Sequence, residues 1–358
     1  MDLKNAFYGL DLEEVQTIVK SAGEPAYRAG QILEWVYRRH AETWEAFSNL
    51  PKPFLEKLKS EFDFNSLFFQ EDRPSPHGQS TKFLFETRDR HLLESVLITQ
   101  QDRLTVCVST QLGCKMKCTF CASGKSFARS LTAGEIVEQV AWIERSLRAK
   151  RSLPAGRQGN LDRVTNIVFM GMGEPLDNFE ATLKAIRILQ ADWGFGLGGR
   201  RITVSTVGIR PKIEEFVRRT NGRVRLSVSL HSSDEKTRSQ LVPINRRYSI
   251  KDLTKTLNKL HRKLKREITF EYTVMEGVND SPAEALGVVR IARPLGAKIN
   301  LIPYNAIREG SFKRPSVRKV EAFSALLKKH GLRVTVRQTA GRDIDAACGQ
   351  LRLDREGH

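Results

Sequence analysis

Apolar residues along this chain keep a helical period at first and change to a strand-and-helix alternation from about residue 104. In GLDLEEVQTIVKSAG (9–23) the apolar positions recur every three to four residues and a glycine follows, which predicts a helix with one buried stripe. YRAGQILEWVYRR (27–39) is a second amphipathic stretch, and NLPKPFLEKLKSEF (49–62) a third, opened by prolines. KFLFETRDRHLLESVLIT (82–99) alternates around a polar turn and predicts a β-hairpin.

Beyond that hairpin, strands are predicted at 104–110, 163–171, 201–206, 223–230, 267–274, 297–303 and 332–338. Helices are predicted between them, at 132–147, 178–189, 210–219, near 234–240, 250–265, 281–293 and 316–331. The first opens on Thr132 with Glu135 three residues on, a capping box. Repeated βα units mean a parallel sheet, open or closed into a barrel. SLPAGRQGN (152–160) reads as a surface loop insertion on the amino-end side of the strands. The pattern divides the chain into a helical region at 1–62, a hairpin extension at 63–103, an α/β domain at 104–345 and a C-terminal segment at 346–358.

Composition narrows the class. The 358 residues leave room for a large core, and the hydrophobic and charged fractions, 40% and 28%, are those of a globular protein. Neither a membrane-spanning apolar run nor a secretory leader is legible, and five cysteines at this length make no secreted disulfide scaffold. The expectation is a cytoplasmic protein with no membrane partner. A formal charge of +18, in clusters such as HRKLKR (261–266), attracts polyanions and points to a nucleic-acid partner.

Chemistry in parallel α/β folds gathers at the carboxyl ends of the strands. The strand at 104–110 runs into GCKMKCTFCASG, which holds Cys114, Cys118 and Cys121 in C-x3-C-x2-C spacing. The next strand ends in GMGEPLDN with Gly173 and Glu174, and later ones end in Ser205, in Ser229, Leu230 and His231, and in Tyr304 and Asn305. The last leads to Cys348. Three thiolates in one loop suit three corners of a [4Fe–4S] cubane and leave the fourth iron open. Structural zinc is the competing reading, with His231 or Cys107 as a distant fourth ligand. Cys107 lies within an apolar strand and could also be a packed small hydrophobe.

The motifs CVSTQLGCKMKCTFCASG, GMGEPLDN, ITVSTVGI, SVSLHSSDEKTRSQLVPINRRY, ITFEYTVMEGVNDSP, NLIPYN and DIDAACGQL, in that order, resemble the RlmN/Cfr family of radical S-adenosylmethionine RNA adenine methyltransferases, on its RlmN branch. The resemblance implies a partial (β/α)6-type radical SAM barrel with a helical N-terminal domain. It implies a [4Fe–4S] cluster on Cys114, Cys118 and Cys121, and two S-adenosylmethionine molecules per turnover. One methylates Cys348; the other yields a 5′-deoxyadenosyl radical that takes a hydrogen from that methyl. The methylene radical adds to carbon 2 of adenine, and Cys107 then attacks the Cys348 sulfur and releases methylated RNA with a disulfide.

By the same resemblance Gly173 and Glu174 grip the amino group of S-adenosylmethionine, and Ser205, Ser229, Leu230, His231 and Asn305 bind its other parts. Glu94, in the hairpin, matches a carboxylate that accepts the adenine proton, a role Cys107 could also fill. The implied partners are 23S ribosomal RNA, tRNA and a low-potential flavodoxin- or ferredoxin-type donor, and the chain is expected to be a monomer. The Cfr-type alternative methylates carbon 8 instead. A non-catalytic RNA-binding protein with a zinc knuckle is the alternative from another class.

Overall fold

A computed structural model describes residues 5–76, 78–151, 163–308, 310–337 and 341–351. The expected insertion at 152–160 therefore lies outside the described residues. The N-terminal region forms β1 (Asn5–Ala6), α1 (Leu12–Ser21), α2 (Arg28–Leu33) and α3 (Lys52–Glu61), and closes with β2 (Phe62–Asp63), which pairs in parallel with β1. Asp11 and Glu14 complete a capping box on α1. The second amphipathic stretch does not stay α-helical: after Leu33 it widens into a π-turn at Glu34–Arg38.

Next come β3 (Leu67–Pro74), β4 (Ser80–Thr87), β5 (Leu92–Gln100) and β6 (Arg103–Val108), each antiparallel to the one before it. The predicted hairpin is β4–β5, but β3 was not expected. Nor is the extension separate: it continues the main sheet. A short pair, β7 (Gln111–Gly113) and β8 (Phe127–Ser130), brackets the cysteine loop. The βα units follow as α4 (Ala133–Arg151), β9 (Asn166–Phe169), α5 (Phe179–Gln190), β10 (Ile202–Thr206), α6 (Arg210–Arg219), β11 (Arg225–Ser229), α7 (Glu235–Leu241) and α8 (Ile250–Leu260). The chain then forms β12 (Thr269–Val274), α9 (Pro282–Ala292), β13 (Lys298–Pro303), α10 (Val317–Lys329) and β14 (Arg333–Val336). The capping box on α4 is present: Thr132 and Glu135 exchange hydrogen bonds of 2.8 and 3.1 Å.

One ten-stranded sheet runs β14-β13-β12-β11-β10-β9-β6-β5-β4-β3. It is parallel from β14 to β6. Successive residues face opposite sides of a strand. Val106, Ile167, Val204, Val228, Phe270 and Ile299 join the apolar core. Cys107, Val168 and Asn300, next to Val106, Ile167 and Ile299, line a cavity of about 1340 Å³ together with Ile302 and Thr335. Gln79 and Thr81 also line it, so the sheet curls round the space although β14 and β3 do not pair.

The core runs without a break from α1–α3 into the barrel. Polar contacts seal the junction: Arg145 on α4 donates to the His40 carbonyl (3.0 Å) and to the Tyr8 hydroxyl (2.7 Å). Beside it, buried His40 and Glu144 meet at 2.5 Å.

Candidate active site

The cysteine loop is anchored by backbone bonds at several points. The Cys114 amide donates to Ser126 O (2.8 Å), the Thr119 amide to Leu241 O (3.0 Å) and the Ala122 amide to Gly349 O (2.8 Å). Ser123 Oγ donates to Leu351 O at 2.8 Å. These last two bonds fasten the C-terminal segment to the loop. Cys121 and Cys348 consequently line the same cavity, although the chain separates them by nearly the whole barrel.

All five cysteines are unbridged. Burial pushes the Cys114 thiol up to about 12, and pushes Cys118 and Cys121 up as well. Backbone amides of Met116, and of Ser123 and Gly124, oppose this by hydrogen-bonding the sulfurs of Cys114 and Cys121. Hydrogen bonds to ligand sulfur are a lever that proteins use to tune iron–sulfur centres. Among the described residues, no three His, Cys, Asp or Glu side chains converge tightly enough for a single ion.

The GMGEP turn sits beside the loop. Gly173 has φ +101°, and a Cβ there would lie 2.6 Å from the side chain of Gln111, so only glycine fits. Gln111 accepts from the Glu174 amide (2.9 Å) and donates to Asp177 (2.9 Å). The buried Glu174 carboxylate accepts from the amides of Leu176 (3.0 Å) and Val207 (2.9 Å), and burial pushes it up to about 7.

Ser205 and Ser229 end their strands on the same side of the sheet, since Ser205 pairs with Ser227. A fully buried arginine, Arg238, ties these ends together. It donates to the carbonyls of Leu230 (2.9 Å), Val207 (2.8 Å) and Ser229 (2.9 Å). His231 has φ +58°, and its carbonyl is clamped by Asn279 at 2.6 Å. Its Nδ1 accepts from the Thr273 amide (3.0 Å), which leaves the proton on Nε2; burial, then Arg238, depresses the ring to about 3. The neutral imidazole meets Phe120 of the cysteine loop edge-on at 4.6 Å.

Cys107 on β6 is 7% exposed and lines the cavity with Cys348, Asn305 and Arg337. Asn305 donates to the Cys348 carbonyl at 3.2 Å, and Arg337 Nη1 donates to its sulfur at 3.0 Å. Glu94 is less available than the sequence suggests. It is nearly buried, pairs with Lys82 at 2.9 Å and is not among the cavity-lining residues.

Sequence reading missed Gln111, Arg238, Arg337 and Lys82. In a chain of charge +18, a lone Arg or Lys reads as surface. The basic clusters themselves divide between two faces. Arg200–Arg201, Arg218–Arg219 and 261–266 lie just before strands or at helix C-termini, opposite the cysteine loop. Exposed cations on the loop's own face include Lys115, Lys117, Lys125, Arg246, Arg247 and Lys313.

Comparison with known proteins decides the family. Residues 108–287 match the radical SAM superfamily, and residues 6–63 match the ribosomal RNA large subunit methyltransferase N-terminal domain. A protein of Opitutus terrae named "Probable dual-specificity RNA methyltransferase RlmN 3" is 41% identical over 97% of this chain and 94% of its own length. An RlmN so named from Listeria welshimeri is 40% identical over 98% and 94%. The crystal structure of a radical SAM methyltransferase from Sphaerobacter thermophilus superposes with a TM-score of 0.91 at 42% identity, covering 97% of this chain and 99% of that one.

This chain belongs to the RlmN family of radical SAM methyltransferases. Its cofactors are accordingly a [4Fe–4S] cluster and S-adenosylmethionine. The residues present fit both: three cysteines share one loop, and backbone amides hydrogen-bond the sulfurs of Cys114 and Cys121. Beside them, Glu174 presents a carboxylate fixed by two amides, suited to an ammonium group. The chain also carries no helix, among the described residues, long and apolar enough to cross a membrane.

Proposed function

We propose that this enzyme methylates carbon 2 of an adenosine in 23S ribosomal RNA and of an adenosine in the tRNA anticodon loop, through a methyl carried on Cys348. The observation that carries this reading is the shared cavity. Two thiols remote in sequence, Cys107 and Cys348, line one space with Cys121 of the cysteine loop. The names of the curated relatives support the RNA substrates. The exposed cations around the loop suit a phosphate backbone.

In this reading Cys114, Cys118 and Cys121 hold the cluster. Gly173 and Glu174 hold the amino group of S-adenosylmethionine, and Ser205, Ser229, Leu230, His231 and Asn305 its remaining parts. When bound, the cofactors supply a 5′-deoxyadenosyl radical as hydrogen abstractor. Cys348 first accepts a methyl as a thiolate nucleophile. After the carbon is joined to adenine, Cys107 attacks the Cys348 sulfur. An S–S bond forms, the S–C bond breaks, and its electron pair leaves with the carbon, which takes a proton. In this reading Glu94, paired with Lys82 at 2.9 Å, serves as acceptor for the adenine proton.

Residues 1–62 act as the RNA-gripping accessory domain, 63–103 as its extension, 104–345 as the radical domain and 346–358 as the carrier segment. A flavodoxin- or ferredoxin-type protein donates the electron, and the enzyme works as a cytoplasmic monomer.

Cys107→Ala tests the central claim. The expected outcome is a stalled covalent RNA–protein species joined through Cys348, seen as a mass shift on its peptide. Free, fully methylated RNA from that variant would refute it. Mass spectrometry of RNA released by the native enzyme separates carbon 2 from carbon 8.

A further inference from the structure

Arg337 continues β14 into the cavity, with its amide bonded to Leu301 O at 2.8 Å. Its Nη1 donates to the Cys348 sulfur at 3.0 Å. The guanidinium is held in its charged form by Cys348 first, with Glu271 and Cys107 contributing less. Glu271 is buried and already engaged, accepting from Ser227 Oγ at 3.0 Å and Asn300 Nδ2 at 2.7 Å. Cys107 is in the opposite situation. Burial pushes its thiol up to about 12, Cys348 pushes it further, and Arg337 works the other way. One cation thus faces two thiols that must react in turn.

Resting on the reading of Cys348 as methyl carrier, we propose that Arg337 is a positioning residue shared by the two thiols: it is held by Cys348 while that sulfur is unmethylated and turns to Cys107 once Cys348 is loaded, so that the resolving thiol becomes reactive only after the carrier is charged. The chemistry of loading supplies the switch. The attacking thiolate's electron pair forms the new S–C bond. The sulfonium C–S bond breaks, and its pair stays on the departing thioether. An anion and a cation cancel, and Cys348 becomes a thioether, a weak acceptor. The guanidinium then has lost its sulfur acceptor, and Cys107 is another thiol lining the same cavity, with a charge interaction to Arg337.

The test is the alkylation rate of Cys107 in cluster-loaded, anaerobic, prereduced protein, read by peptide mass spectrometry. Cys348→Ser imitates loading by removing the thiol at nearly unchanged size. Lowering a thiol's pKa by one unit gives about tenfold more thiolate, and weaker nucleophilicity takes back part, leaving about threefold. Cys348→Ser should therefore speed iodoacetamide labelling of Cys107 by at least about threefold. Adding Arg337→Gln should abolish the gain.

No gain in Cys348→Ser, or a gain that survives Arg337→Gln, overturns the proposal. If the Arg337→Gln chain does not fold, anionic iodoacetate decides. A freed guanidinium enlarges the gain with iodoacetate beyond that with iodoacetamide, whereas a merely roomier cavity raises both alike and overturns it. Whether Cys348 carries a methyl is read separately, from its peptide mass after incubation with S-adenosylmethionine. Absence of that methyl removes the carrier reading without altering the labelling rates.

Discussion

Cys114, Cys118 and Cys121 lie on one turn of loop between β7 and β8, whereas Cys107 and Cys348 meet only because the sheet curls and the C-terminal segment folds back. The first set is assembled by chain connectivity and fixed by local amides. The second is assembled by the whole fold, and two hydrogen bonds from Ala122 and Ser123 fasten its outer member. A metal site built from neighbours survives distant damage. A pair of thiols built from opposite ends of a domain depends on every element between them. In the proposed function the difference separates metal holding from carbon transfer and makes the two separately breakable.

The largest effects should fall on one set at a time. Cys118→Ala removes a proposed cluster ligand, so iron, sulfide and the brown absorbance should fall to background and methylated RNA should disappear. Cys348→Ala should abolish methylated RNA just as completely while leaving iron content at the native level. Iron analysis beside RNA mass spectrometry checks both. Iron loss from Cys348→Ala would mean that the two sets are not independent.

A smaller break acts on the fold-assembled set through its backbone. Gly349 stands at φ +86°, and a Cβ there would come 3.4 Å from Phe120 O. Alanine in a left-handed conformation costs roughly 1–2 kcal/mol. Gly349→Ala should therefore loosen the carrier segment and slow methylation of the Cys348 peptide by about tenfold, one such increment in rate being about 1.4 kcal/mol. Iron content should not change. Equal loss of iron would show that the segment also supports the cluster loop.

What could be read in the sequence follows the same division. Spacing along the chain is visible, so the cysteine loop and the helical periods of α1, α4, α5 and α10 were legible. β3 was not, because LFFQEDRP breaks strand alternation. A bulge between Phe69 and Glu71 shifts its register, and Phe69 stacks on Trp142. The π-turn after Leu33 was equally hidden, since its residues keep an amphipathic pattern. Placement across the fold is visible only through long-range pairing. The pairing of Glu94 with Lys82 is not visible along the chain, yet the sheet brings them together with side chains 12% exposed. Arg238 and Arg337 carry no local mark of burial, and only the curled sheet and the returning segment reveal their carbonyl and sulfur acceptors.

The finest test of the division is Ser123, which touches both sets. Its hydroxyl donates to Leu351 O at 2.8 Å, and its amide and side chain also hydrogen-bond the Cys121 sulfur. Ser123→Ala deletes the hydroxyl and keeps the amide. A typical hydrogen bond contributes about 1 kcal/mol net, so methylation of Cys348 should slow by about fivefold. The cluster should stay in place, because its ligands and their amide donors are untouched, but losing one bond to ligand sulfur should shift its reduction potential. Potentiometry and peptide mass spectrometry on one preparation separate these effects. A shifted potential with unchanged carrier methylation would assign Ser123 to the loop alone. Slower methylation at an unchanged potential would make it part of the carrier's anchorage.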